Sequence, residues 1–74
     1  MIPRKIAVLG AGYHAKVVLE ILNIQGRKEA ACVLDDNAEL HGTTVDGIPV
    51  VGSLDRLPSL LSAGVVNAAA MGIG

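Results

Sequence analysis

Two glycines one residue apart, Gly10 and Gly12, follow an aliphatic run and precede a helical pattern. That arrangement suits a phosphate. Gly10 permits a tight turn off a strand, and Gly12 lets an anion approach bare backbone. A helix beginning near His14 points its unpaired N–H groups and positive dipole end at the same spot. Ala15 takes the third position of the fingerprint, small enough for the helix to pack closely on the strand. Asp35 lies twenty residues beyond Ala15, about where a ribose-binding carboxylate is expected. Its neighbour Asp36 is a second acceptor for hydroxyl or imide N–H donors, and equally a residue suited to a solvated turn. Glycine pattern, flanking elements and acid together imply a nucleotide-binding βαβ unit.

The remaining reactive side chains point to less. His41 has no cysteine or second histidine beside it, so a metal site is not expected. Lys16 is within reach of an anion from the first helical turn, although a solvated lysine is the plainer reading. Cys32 is the single cysteine, which excludes an internal disulfide, and its apolar surroundings suit a small buried hydrophobe. A net charge of −1, with only the short basic pairs Arg4–Lys5 and Arg27–Lys28, argues against a nucleic-acid partner. No apolar run approaches the ~20 residues of a membrane span, and the run behind Lys5 is too short for a signal peptide. A cytoplasmic location is the default expectation.

The elements that position these residues follow from the apolar pattern. Lys5 to Leu9 is a continuous aliphatic run, as expected of a strand buried on both faces. A helix from about His14 to Gln25 carries Ala15, Val18, Leu19 and Leu22 on one face, with Gly26 as its stop. Val17, Ile21 and Ile24 widen that stripe. Glu29 to Leu34 is a second strand, and its carboxyl end carries Asp35, Asp36 and Asn37, at the edge where open α/β sheets bind ligands. Glu39 to Thr44 is expected as loop with a turn at His41-Gly42. Asp46-Gly47 between Val45 and Ile48 predicts a hairpin. Pro49 to Gly52 then reads as an edge strand, because proline cannot donate to a ladder. Ser53 is the expected cap of one turn, and Pro58 the first residue of a short helix closed by Gly64. Val65 to Met71 is the last strand. The 74 residues allow one small domain, and such a length buries only roughly 60% of its unfolded surface. With 51% hydrophobic but 1% aromatic residues, the core must be aliphatic.

The fold expected over residues 1–74 is therefore α/β, a small Rossmann-like βαβ domain with a parallel sheet. Lys5-Ile-Ala-Val-Leu-Gly-Ala-Gly12, His14-Ala-Lys-Val-Val18, Leu34-Asp-Asp-Asn37, Gly42, Val45-x-Gly47-x-Pro49-Val50-x-Gly52, Leu57-Pro58 and Met71-Gly72 occur together. In this combination the chain resembles the N-terminal domain of bacterial sugar acetyltransferases of the PglD/NeuD type. The resemblance implies a nucleotide-sugar substrate, commonly uridine-linked, bound by this domain. It further implies a left-handed β-helix domain that follows, binds acetyl-CoA, forms trimers and carries the catalytic histidine. The chain is accordingly expected to be truncated before that β-helix, to hold no catalytic residue or cofactor of its own, and to belong to a homo-oligomer.

On the same resemblance, Gly10, Ala11 and Gly12 carry the diphosphate on backbone N–H groups, and Asp35 and Asp36 meet the ribose or base. His14 matches the family's loop histidine, which orients the loop or touches a phosphate. Tyr13 departs from the family pattern, which has glycine directly before that histidine. A left-handed backbone there would cost tyrosine roughly 1–2 kcal/mol, whereas its ring offers a stacking surface for base or sugar. Two alternatives stand beside this reading: an NAD-binding fragment of a dehydrogenase, and a non-catalytic interaction or dimerisation module.

Overall fold

A computed structural model of the chain describes residues 4–24 and 30–71, with the side chains of residues 13–15 and 22–24 outside that description. The two aliphatic runs form β1 (Ile6–Leu9) and β2 (Ala30–Leu34), on either side of α1 (Tyr13–Ile24) in the chain. A hairpin of β3 (Thr44–Val45) and β4 (Ile48–Gly52) follows, then α2 (Leu57–Ser62) and β5 (Ala68–Met71). The sheet order is β3-β4-β2-β1-β5. Strands β4, β2, β1 and β5 run parallel, and β3 is antiparallel to β4. The result is the expected α/β architecture, a mostly parallel five-stranded sheet.

Strand alternation sorts the core into two faces. Ile6, Val8, Val33 and Val50 pack with Leu19 of α1, while Ala7, Cys32 and Leu34 pack with Leu60 of α2 and Val66. A helix on each face explains why the central strands are aliphatic without interruption. Burial of each such large side chain stabilises by about 1.5–3 kcal/mol. Cys32 is buried as expected, and desolvation raises the pKa of its thiol.

Several local expectations change. β4 is not an edge, because β3 covers one side of it and β2 the other. The Val50 N–H donates to Thr43 O at 2.8 Å on the β3 side, so by alternation the Pro49 nitrogen faces β2. Pairing with β2 begins only at Val33 opposite Val50, and the missing donor falls ahead of the ladder. The stretch expected as loop contains a 3-10 turn over Ala38–Leu40, capped by Asn37 Oδ1 accepting the Glu39 N–H at 3.1 Å. A 3-10 turn over Leu54–Arg56 leads into α2, whose second residue rather than its first is Pro58. Proline is still harmless there, since N–H groups of a first turn have no partner within the helix. β5 starts at Ala68 instead of Val65, because Asn67 first clasps Lys5. Asn67 N–H donates to Lys5 O, and Asn67 Oδ1 accepts the Lys5 N–H, each at 2.8 Å.

The Asp-Gly turn forms as its sequence demands, with Asp46 at φ 49° and Gly47 at φ 82°. The expected helix stop at Gly26 with Arg27 and Lys28, the strand entry at Glu29, and Gly72 to Gly74 lie outside the described residues.

Leu34 is fully buried on the α2 face. Leu34→Ala is expected to cost about 2–5 kcal/mol, much of the stability of a domain this small. Urea denaturation followed by circular dichroism checks it, and an unshifted midpoint contradicts this account of the core.

Candidate functional site

The carboxyl ends of β1, β2 and β4 lie side by side, and the backbone ties them before any side chain does. Gly10, at φ 99°, turns the chain off β1 and donates its N–H to Leu34 O of β2 at 2.6 Å. Asp35, the residue immediately after β2, donates its N–H to Gly52 O of β4 at 2.9 Å. These two bonds place Asp35 between the glycine loop and the exit of β4.

Its carboxylate completes the join. Oδ2 accepts the Ala11 N–H at 2.9 Å, and Oδ1 accepts the Asn37 N–H at 2.8 Å in an Asx turn. The Asp35 carbonyl accepts from His41 Nε2 at 2.7 Å. All four polar groups of the residue are thereby engaged within the protein. The Asn37 and Ala11 N–H bonds hold its carboxyl below the usual carboxylate range, partial burial opposes them, and the nearby His41 lowers it further. The site therefore presents Asp35 as an anion at neutral pH.

Asp36 turns the other way. Its Oδ1 accepts the Leu54 N–H at 3.0 Å, capping the 3-10 turn that follows β4. The expected cap, Ser53, occupies the right position but makes no side-chain bond there. The Asp35–Gly52 bond explains the substitution, since it brings Asp36 against the β4 exit.

The three glycine-loop residues differ in what they leave open. The N–H groups of Gly10 and Ala11 are engaged as above. Gly12 is exposed, and a Cβ built on it would meet nothing within 4 Å, so its backbone faces open space. Tyr13 and His14 open α1, and their side chains lie outside the described residues. Tyr13 is helical. Among described non-glycine residues positive φ occurs only at Asp46, so the left-handed strain anticipated at Tyr13 does not arise. Lys16 closes the first helical turn through its N–H to Gly12 O at 3.3 Å, and its side chain is exposed.

Sequence reasoning did not single out Asn37 or His41 as partners of Asp35. The Asp-Asp-Asn cluster signals a turn, but contact between His41 and Asp35 depends on how the Ala38–Leu40 turn folds back. Among the described residues no group of three His, Cys, Asp or Glu side chains is arranged to hold a metal ion. No described helix is long and apolar enough to cross a membrane.

Comparison with known proteins agrees with this fold. The family model of the PglD N-terminal domain matches residues 5–74. A solved structure of a mutant perosamine N-acetyltransferase from Caulobacter crescentus, in complex with CoA and GDP-perosamine, is 35% identical with a TM-score of 0.79. That match covers 93% of this chain and 30% of the other, so the chain spans under a third of its relative's length. No curated protein matches the chain.

Two outcomes follow for the acids. Asp36→Ala removes the working cap of the Leu54–Arg56 turn and is expected to lower stability by about 1 kcal/mol, whereas Ser53→Ala leaves it nearly unchanged. Urea midpoints of the two variants decide between Asp36 and Ser53 as the cap. Because folding depresses the Asp35 pKa, its contribution is present above the unfolded value of about 3.9 and is lost as pH falls through the folded value. Asp35→Asn should therefore flatten the acid limb of a stability–pH curve, and an unaltered limb would count against the Ala11 and Asn37 bonds.

Proposed function

The chain belongs to the PglD N-terminal domain family, and from that premise we propose that it binds a nucleotide-linked sugar, with a uridine diphosphate sugar as its substrate. The observation that carries this reading is the bond from Ala11 N–H to Asp35 Oδ2, which joins the glycine loop to the acid at one sheet edge. The relative solved with GDP-perosamine supports a nucleotide-sugar ligand for this kind of domain.

The parts of such a ligand map onto the edge in strand order. The diphosphate meets the open Gly12 backbone and the N-terminus of α1, where unpaired N–H groups and the helix dipole favour an anion. Gly10 and Ala11 shape that turn, with their own N–H groups directed inward to Leu34 and Asp35. Tyr13 and His14 begin the helix at the same place and flank the phosphates. Asp35 accepts a ribose hydroxyl, since each carboxylate oxygen keeps a lone pair beyond the N–H bond it already receives. Asp36 offers its second oxygen to an imide N–H of the base.

This chain supplies affinity and orientation, which lower a barrier by positioning. In a longer protein containing it, the amine or hydroxyl of the bound sugar attacks the acetyl carbon of acetyl-CoA, the C–S bond breaks, and coenzyme A leaves as its thiol. A histidine of the following domain acts as general base. Assembly into a homo-oligomer belongs to that longer protein in this reading.

Calorimetric titration with uridine diphosphate, NAD and acetyl-CoA tests the proposal. Uridine diphosphate should bind, and Asp35→Ala should weaken it about 10–100-fold, the effect of losing a charge-assisted hydrogen bond. Acetyl-CoA should not bind this chain. Binding of NAD alone would replace the reading with a dehydrogenase fragment.

A further inference from the structure

One cation, Arg56, stands at the carboxyl edge apart from the glycine loop and the two aspartates. Arg56 ends the 3-10 turn whose first N–H is held by Asp36, which places it in the corner between the β2 and β4 exits. Its side chain lies across Gly52. A methyl group on Gly52 would collide with Arg56 Cδ and stand 3.4 Å from Cγ and 3.5 Å from Nε. The absence of a side chain at Gly52 is what leaves room for this course. Among the described residues the Arg56 guanidinium has no hydrogen-bond or ion-pair partner. Two aspartates sit at the same edge, yet each is already bound to backbone N–H groups.

Spacing then decides which part of a ligand it meets. Neighbouring strands stand about 4.8 Å apart, so the β4 exit is roughly 10 Å from the β1 exit, with β2 between them. With phosphates at Gly12 and ribose at Asp35, the third step along the edge is the nucleobase. A guanidinium has donors and no acceptor, so its partner on the base must be an acceptor. Uracil and guanine present a carbonyl oxygen where cytosine and adenine present an amino donor.

We propose that Arg56 is a specificity-determining residue of the nucleotide site, donating to the carbonyl oxygen of a keto base and so selecting uracil or guanine over cytosine or adenine. This inference rests on the nucleotide-sugar reading and assigns its base subsite. Gly52 positions Arg56, and Asp36 fixes the turn that carries it.

The test is calorimetric titration of the 74-residue chain and its Arg56→Ala, Arg56→Lys and Gly52→Ala variants with UDP, GDP, CDP and ADP. The unaltered chain should bind UDP or GDP at least about 10-fold tighter than CDP and ADP, as one directed base contact provides. Arg56→Ala should remove that preference by weakening the keto nucleotides while leaving CDP and ADP unchanged. Arg56→Lys should restore it in part, since lysine keeps the charge and loses the planar fork. Gly52→Ala should fall between Arg56→Ala and the unaltered chain, with its fold verified by circular dichroism. Equal weakening of all four nucleotides by Arg56→Ala would move the guanidinium to the phosphates and overturn the base assignment. No change with any of them would make Arg56 a solvated surface charge. Failure of the unaltered chain to bind any of the four would overturn the nucleotide-sugar reading itself, and this inference with it.

Discussion

The carboxyl edge depends on Asp35. Its N–H goes to Gly52, its two carboxylate oxygens to Ala11 and Asn37, and its carbonyl to His41. Three connections that leave the sheet separately are thereby held at one point. The segments themselves offer little burial to hold them, for Gly12, Asp36 and Asn37 are all exposed. Hydrogen bonds to an ionised acceptor are stronger than neutral ones, and here they do what packing cannot. The arrangement also carries an electrostatic consequence. A fixed anion beside the glycine loop favours hydrogen-bond donors and repels other anions at the β2 exit, and in the function proposed here the phosphates accordingly lie at Gly12 and α1.

Behind that edge stands a thin core of small aliphatic side chains. Ala7 and Cys32 lie where α2 approaches the sheet, and Ile6, Val8 and Val33 lie where α1 does. The central strands β1 and β2 are buried on both faces, which makes them a rigid base for loops that must keep their places. The same strands carry Gly10 and Asp35 at their ends, so site geometry and core register are one constraint. A slip of one residue in β2 would move Leu34 to the other face and take Asp35 from Ala11. The antiparallel β3 extends this base beyond β4, and Pro49 is accommodated inside the sheet because its nitrogen faces β2 ahead of their ladder.

Division of labour between the two adjacent acids shows how far side-chain identity alone can be read. Both stand at a strand end and both suit a ligand. Only the parallel pairing of β2 with β4 sets Asp36 against the Leu54 N–H and makes it a cap. Ser53 has the residue type and position of a cap but makes no side-chain bond, while Asp36 reaches the Leu54 N–H from eighteen residues away. His41 is a similar case. Nothing in its neighbours along the chain marks it, and its bond to Asp35 follows from the path of the Ala38–Leu40 turn.

By itself the sequence determined what depends on local spacing. Aliphatic runs gave β1 and β2, the Gly10–Gly12 break gave the turn into α1, and Asp46-Gly47 gave the hairpin. The twenty-residue interval from Ala15 to Asp35 brought the acid to the loop, because one helix and one strand of ordinary length span it. The tertiary structure decided everything that requires knowing which strand lies beside which. It put β4 inside the sheet, gave Asp36 rather than Ser53 the cap, turned the Ala11 N–H inward, and laid Arg56 across Gly52. The physical reason is range. Turn and helix preferences act over a few residues of chain, whereas these contacts are made across strands, and only the assembled sheet sets the neighbours.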